Sequence, residues 1–91
     1  MTTKVRQIGV YPEPKIRYSV GDTVKSFAGN DVLLGSETAK VLAIIAVDMP
    51  TEDGYTVTRY RVQLQILSGR NKAVYGMRME SHSPSTLAKI D

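Results

Sequence analysis

An all-β fold, a small open barrel of five to six strands with a short C-terminal helical turn, is what this sequence predicts, and three observations carry the prediction. Tyr60, Val62, Leu64 and Ile66 alternate strictly with Arg59, Arg61, Gln63 and Gln65, which is the period of a strand with one buried face. Thr38 to Val47 is a run of Val, Leu, Ala and Ile with Pro50 and Gly54 close behind it. Its shortness and β-branching favour a strand, although periodicity alone also allows a helix. Turn residues divide the rest of the chain into short segments.

Along the chain, residues 1–15 carry Gly9 and the Pro12-Glu13-Pro14 triplet, which forces an extended path and predicts an N-terminal arm or edge strand around Ile8 to Tyr11. Gly21-Asp22 supplies a turn, and Thr23 to Phe27 continues as a strand with Val24 inward. Ala28-Gly29-Asn30-Asp31 breaks it, and Val32 to Ser36 joins a long loop. In the next strand Val41, Ala43, Ile45 and Val47 occupy one alternate set and Leu42, Ile44 and Ala46 the other, so both faces call for burial. Met49 to Gly54 is a connection in which Asp53-Gly54 suits positive φ, and a hairpin from Lys40 to Leu67 follows. Ser68-Gly69-Arg70-Asn71 turns the chain again, and Lys72 to Met79 is expected as a strand with Ala73, Tyr75, Met77 and Met79 on one face. Ser83-Pro84 suits an N-cap and first helical residue, with Leu87 and Ile90 docking on the barrel mouth.

A chain of 91 residues without cysteine has room for one domain, 1–91, that buries only about 60 to 65% of its unfolded surface. Neither disulfides nor thiolate-bound zinc can brace so thin a core, which makes a partner subunit a source of stability. The two-faced run predicts a homodimer or higher oligomer through Val41, Leu42, Ala43, Ile44 and Ile45. The lack of disulfides fits a cytoplasmic location. Met1 to Val10 has Lys4 and Arg6 with no apolar run behind them, unlike a secretory signal, and no segment nears the roughly 20 apolar residues of a membrane span.

The phrase Tyr18-Ser19-Val20-Gly21-Asp22-Thr23-Val24-Lys25 resembles the first strand of SH3-like barrels, a phrase found also in KOW and Tudor modules and in plasmid-borne type II dihydrofolate reductases. The resemblance implies an SH3-like open barrel, with an OB-like barrel or a compact α+β domain as the alternative, and leaves function open. Those reductases line a tetrameric pore with a Val-Gln-Ile-Tyr strand. The nearest phrase here, Val62-Gln63-Leu64-Gln65, keeps the glutamine and lacks the tyrosine, so no site residue carries over.

Chemistry-bearing groups are sparse. His82 is the only histidine, and its neighbours Glu80, Ser81 and Ser83 would point apart on a strand or loop, which predicts a surface histidine outside any triad. Glu52 and Asp53 lack further oxygen ligands for a cation, and Gly69-Arg70-Asn71-Lys72 lacks the glycines of a phosphate cradle. The sequence therefore predicts no enzyme, no cofactor and no metal. The net charge is +3, and its distribution is more telling than its size. Arg59, Arg61, Arg70, Lys72 and Arg78 fall in an acid-free stretch from Tyr55 to Met79, while Asp48, Glu52 and Asp53 are expected together in one loop. Arg59 and Arg61 would project about 7 Å apart, near the phosphate spacing of a nucleic-acid strand. Tyr55, Tyr18 and Tyr11 are available for stacking on bases. The expected function is a non-catalytic binding module that takes nucleic acid through Arg59, Arg61, Gln63, Arg70, Lys72, Arg78 and Tyr55. The alternative is protein contact or self-assembly through the same surface.

Overall fold

The computed structural model describes residues 2–27 and 29–90. Ala28, expected in the break after the first inner strand, lies outside them, as do Met1 and Asp91. Six antiparallel strands form one open sheet: β1 (Lys4–Ile8), β2 (Thr23–Ser26), β3 (Thr38–Pro50), β4 (Thr56–Ser68), β5 (Arg78–Ser81) and β6 (Leu87–Lys89). Their order is β5-β4-β3-β2-β6, with β1 also paired to β3. The only helical elements described are two 3₁₀ turns, Lys72–Val74 and Pro84–Thr86. No helix among the described residues is long and apolar enough to cross a membrane.

The β3–β4 hairpin is the spine. Its register runs from Thr38 opposite Ser68 to Pro50 opposite Thr56, and the turn between them has Gly54 at φ +83°, as the Asp-Gly pair requires. Alternation in β4 sends Val62, Leu64 and Ile66 fully inward. In β3 the register shifts between Val41 and Ala43, so Leu42 is the extra residue of a β-bulge and the inward phase changes there. Val41 precedes the bulge and Ile44 and Ala46 follow it, and all three are completely buried. Much of the apparent two-facedness of the run is this change of phase. Val41, Ile44 and Ile45 are buried within the chain itself and leave little surface for the expected subunit interface; Leu42 and Ala43 are half-buried.

Short strands close the body at both ends of the spine. β2 pairs with Thr38 to Lys40, and β6 pairs with β2. β1 pairs with the far part of β3, from Ile8 opposite Ile44 to Lys4 opposite Asp48. The edge strand is thus Lys4–Ile8, earlier than Ile8 to Tyr11, because Gly9 and the prolines turn the chain back: Val10 bridges Ser19, and Val20 N–H reaches Gly9 C=O. This return buries two tyrosines expected at the surface. Tyr11 and Tyr18 stack with centroids 5.1 Å apart, and Tyr11 meets Tyr60 edge-on at 5.4 Å. The Tyr18 hydroxyl donates to Pro84 C=O at 2.8 Å, and burial pushes its phenol above the ordinary range.

The long loop after β2 is fastened by Asn30. Its Nδ2 donates to Ser81 Oγ, Ser83 C=O and Thr86 Oγ1, and its Oδ1 accepts from the N–H groups of Val32 and Leu33. Leu33 is thereby placed in the core. The 3₁₀ turn after Ser83 begins at Pro84 as expected, without a side-chain cap, and delivers Leu87 fully buried at the start of β6.

Lys72 to Met79 is not one strand. Asn71 Oδ1 accepts from Ala73 N–H and starts a 3₁₀ turn, an Asx-type turn that competes with extension. Gly76 then reverses direction at φ +83°, and β5 begins only at Arg78. Tyr75 consequently leaves the predicted core face; 40% of it is exposed, and its hydroxyl braces the turn by donating to Gly69 C=O at 2.6 Å.

Candidate binding face

Register assigns the outer face of the sheet row by row, since paired residues point to the same side. After the bulge, β3 contributes Ala43, Ile45, Val47 and Met49; β4 contributes Gln63, Arg61, Arg59 and Val57 opposite them. β1 adds Gln7 beside Ile45 and Val5 beside Val47, and β5 adds Glu80 beside Gln63 and Arg78 beside Gln65. Beyond β5, which covers only Val62 to Gln65 of β4, no described strand pairs with the edge of β4 from Thr56 to Arg61. The hairpin projects from the body there, and the molecule is 46 Å long against 26 and 21 Å across.

The predicted site residues fall into two groups. Arg59, Arg61, Gln63 and Arg78 lie on this outer face, with Tyr55 at the hairpin tip, 75% exposed. Arg70 and Lys72 do not join them. They sit in the β4–β5 connection, separated from Arg59 by nearly the whole of β4, about 30 Å of strand. Arg70 instead faces the Leu34 to Glu37 loop across an open hollow.

Nor is the face free of acid. Pairing of β5 with β4 brings Glu80 in, and its Oε1 lies 3.6 Å from Arg61 Nη1 and 3.4 Å from His82 Nε2. Arg61 Nε is buried without a hydrogen-bond partner. Arg59 and Arg78 have no carboxylate within salt-bridge distance among the described residues. Asp48 is also not where the sequence placed it. It lies in β3, where it receives bonds from Arg6 Nε at 2.7 Å and Thr58 Oγ1 at 2.6 Å; these hold its carboxyl at about 2, below the usual 3.8. The acids left at the tip are Glu52 and Asp53, both exposed.

Residues that sequence reasoning missed are the apolar ones of this face. Val5 is 60% exposed and Val57 43%, with Val47 and Met49 half-buried between them. Val5 and Val47 are paired, as are Met49 and Val57, so the four are contiguous. Alternation past Val47 carried part of the signal; the place of Val5 depends on a pairing between distant segments. Beside the stripe, at the open edge of β4, Val47, Met49, Arg59, Tyr60, Arg61 and His82 line a hollow of ≈ 220 Å³. Comparisons with family models, curated proteins and solved structures return no match to this chain.

An uncovered apolar stripe flanked by arginines and an exposed tyrosine has the composition of a protein-contact surface, where aromatic and arginine anchors dominate. Phosphate binding would use the arginines and leave the stripe exposed.

Proposed function

We propose that this chain is a non-catalytic binding module that contacts protein through the outer face of the β1–β3–β4 ribbon. The observation that carries this reading is the contiguous set Val5, Val47, Met49 and Val57 beside Arg59, on a part of the sheet face that no described element packs over. The open order β5-β4-β3-β2-β6 supports an SH3-like scaffold for it. Nucleic-acid binding is the second reading, favoured by Arg59 and Arg78 standing on the same face without acidic partners; the burial of Tyr11 and Tyr18 and the remoteness of Arg70 and Lys72 weigh against it.

A photoreactive phenylalanine analogue at position 57, with position 20 as the control, separates the two in cells. Val20 is 45% exposed and lies off the ribbon. Protein adducts formed from 57 and absent from 20 are expected. Adducts to nucleic acid alone would favour the second reading, and no adduct specific to 57 would sink the first.

A further inference from the structure

We infer that the partner covering this face is a second copy of the chain, stacked face to face about a two-fold axis that crosses the Met49–Val57 pair; the inference rests on the protein-contact reading above. An isologous interface must be self-complementary, and the residues of the ribbon meet that condition at one position of the axis. With the axis lying between the sheets and perpendicular to the strands, β4 of one copy runs antiparallel over β4 of the other. Centred on Met49–Val57, Met49 and Val57 meet their own mates. Arg59, two residues up the strand, then lies over the Tyr55 end of the other hairpin, and Arg61 lies over its acidic tip at Glu52 and Asp53.

Charge decides the position. Moving the axis one pair inward, to Val47–Arg59, would set Arg59 on Arg59 and leave the tip acids beyond both arginines. At Met49–Val57 the basic row and the acidic tip of each copy answer one another twice, once at each end. A guanidinium over an aromatic ring is itself attractive, and face-to-face sheets about 10 Å apart leave room for both side chains. The arrangement also covers the apolar stripe, including much of Val47, and gives Arg61, which holds one acid only at 3.6 Å, a second carboxylate.

Because the chain has no cysteine, Val57→Cys tests the axis directly. At the two-fold, residue 57 faces its own mate across about 10 Å, too far for a direct disulfide, so a short bis-maleimide should link V57C into covalent dimers rapidly, while V20C should link only slowly by collision. Light scattering of the unmodified protein should return a dimer at about 100 μM, and Val57→Glu should weaken it at least about tenfold by burying an unpaired charge. Asp53→Arg should weaken it as well, and Asp53→Arg with Arg61→Glu should recover part of the loss; a thermal melt of each variant shows that it is folded. A monomer at that concentration, or V57C linking through the bis-maleimide no faster than V20C, overturns the inference. If the photoadduct from position 57 then contains a different protein, the contact surface stands and only the identity of its partner falls.

Discussion

Asn30 shows how a single polar side chain can set a long connection. It is 4% exposed and uses both its amide nitrogen and its oxygen, so replacing it by Ala leaves several buried groups without partners. Asn30→Ala should cost at least about 2 kcal/mol, comparable with the roughly 2 to 5 kcal/mol expected for Ile44→Ala or Leu64→Ala in the core. Gln63→Ala on the outer face should fall within about 0.5 kcal/mol of the parent. Urea unfolding ranks the four, and Gln63 ranking with Leu64 would overturn the assigned strand phase. Acid should act through two carboxylates. The Asp48 carboxyl sits at about 2, held by Arg6 and Thr58, and that of Asp31 is lowered: burial opposes its charge, but the Ser81 hydroxyl and the His82 N–H outweigh it. A depressed folded-state value contributes stability above the unfolded value of 3.8 and loses it as pH falls toward the folded one. Urea midpoints should therefore decline between about pH 4 and pH 2, and Asp48→Asn with Asp31→Asn should flatten that decline. None of these contacts was legible in the sequence, since Asn30 and Ser81, or Arg6 and Asp48, are brought together only by the fold.

At the scale of elements, legibility followed locality. The β4 phase was readable because the eight residues from Arg59 to Ile66 alternate without interruption, and the β3–β4 turn because Asp53-Gly54 has a specific backbone preference. The bulge in β3 was not, because Leu42 is as apolar as its neighbours and nothing local marks it as the extra residue. Likewise Lys72 to Met79 alternates like a strand, yet the Asn71 side chain and Gly76 turn it. The bulge makes a sharp prediction about deletions. Removing Leu42 joins Val41 to Ala43, and the facing of Ile44 and Ala46 is unchanged, so the variant should still unfold cooperatively. Removing Ile45 instead reverses the face of every later residue of β3 and opposes the hairpin register. That chain should lack a cooperative thermal transition. If circular dichroism shows the two deletions to be equivalent, Leu42 is not the bulged residue.

The whole molecule is a small core with a projecting ribbon, and its stability should carry the mark of both. Among the described residues, eleven buried side chains around Ile44, Leu64 and Leu87 serve the body, while the exposed part of the outer stripe, Val5 and Val57 above all, adds little to an isolated chain. If a second copy covers that stripe, folding and association are linked, and the melting temperature must rise with protein concentration, because a ligand that binds only the folded state stabilises it by mass action. While the folded chain is almost all dimer, a hundredfold increase in concentration should raise Tm by roughly 5 to 10 °C for a domain of this size. Val57→Glu should remove the dependence and melt at one temperature throughout, near the low-concentration limit of the parent, since Val57 is 43% exposed in the single chain and the substitution leaves the body intact. Calorimetry across about 5 to 500 μM checks this. A concentration-independent Tm in the parent would mean that the ribbon remains uncovered by its own kind, and that the thin core suffices alone.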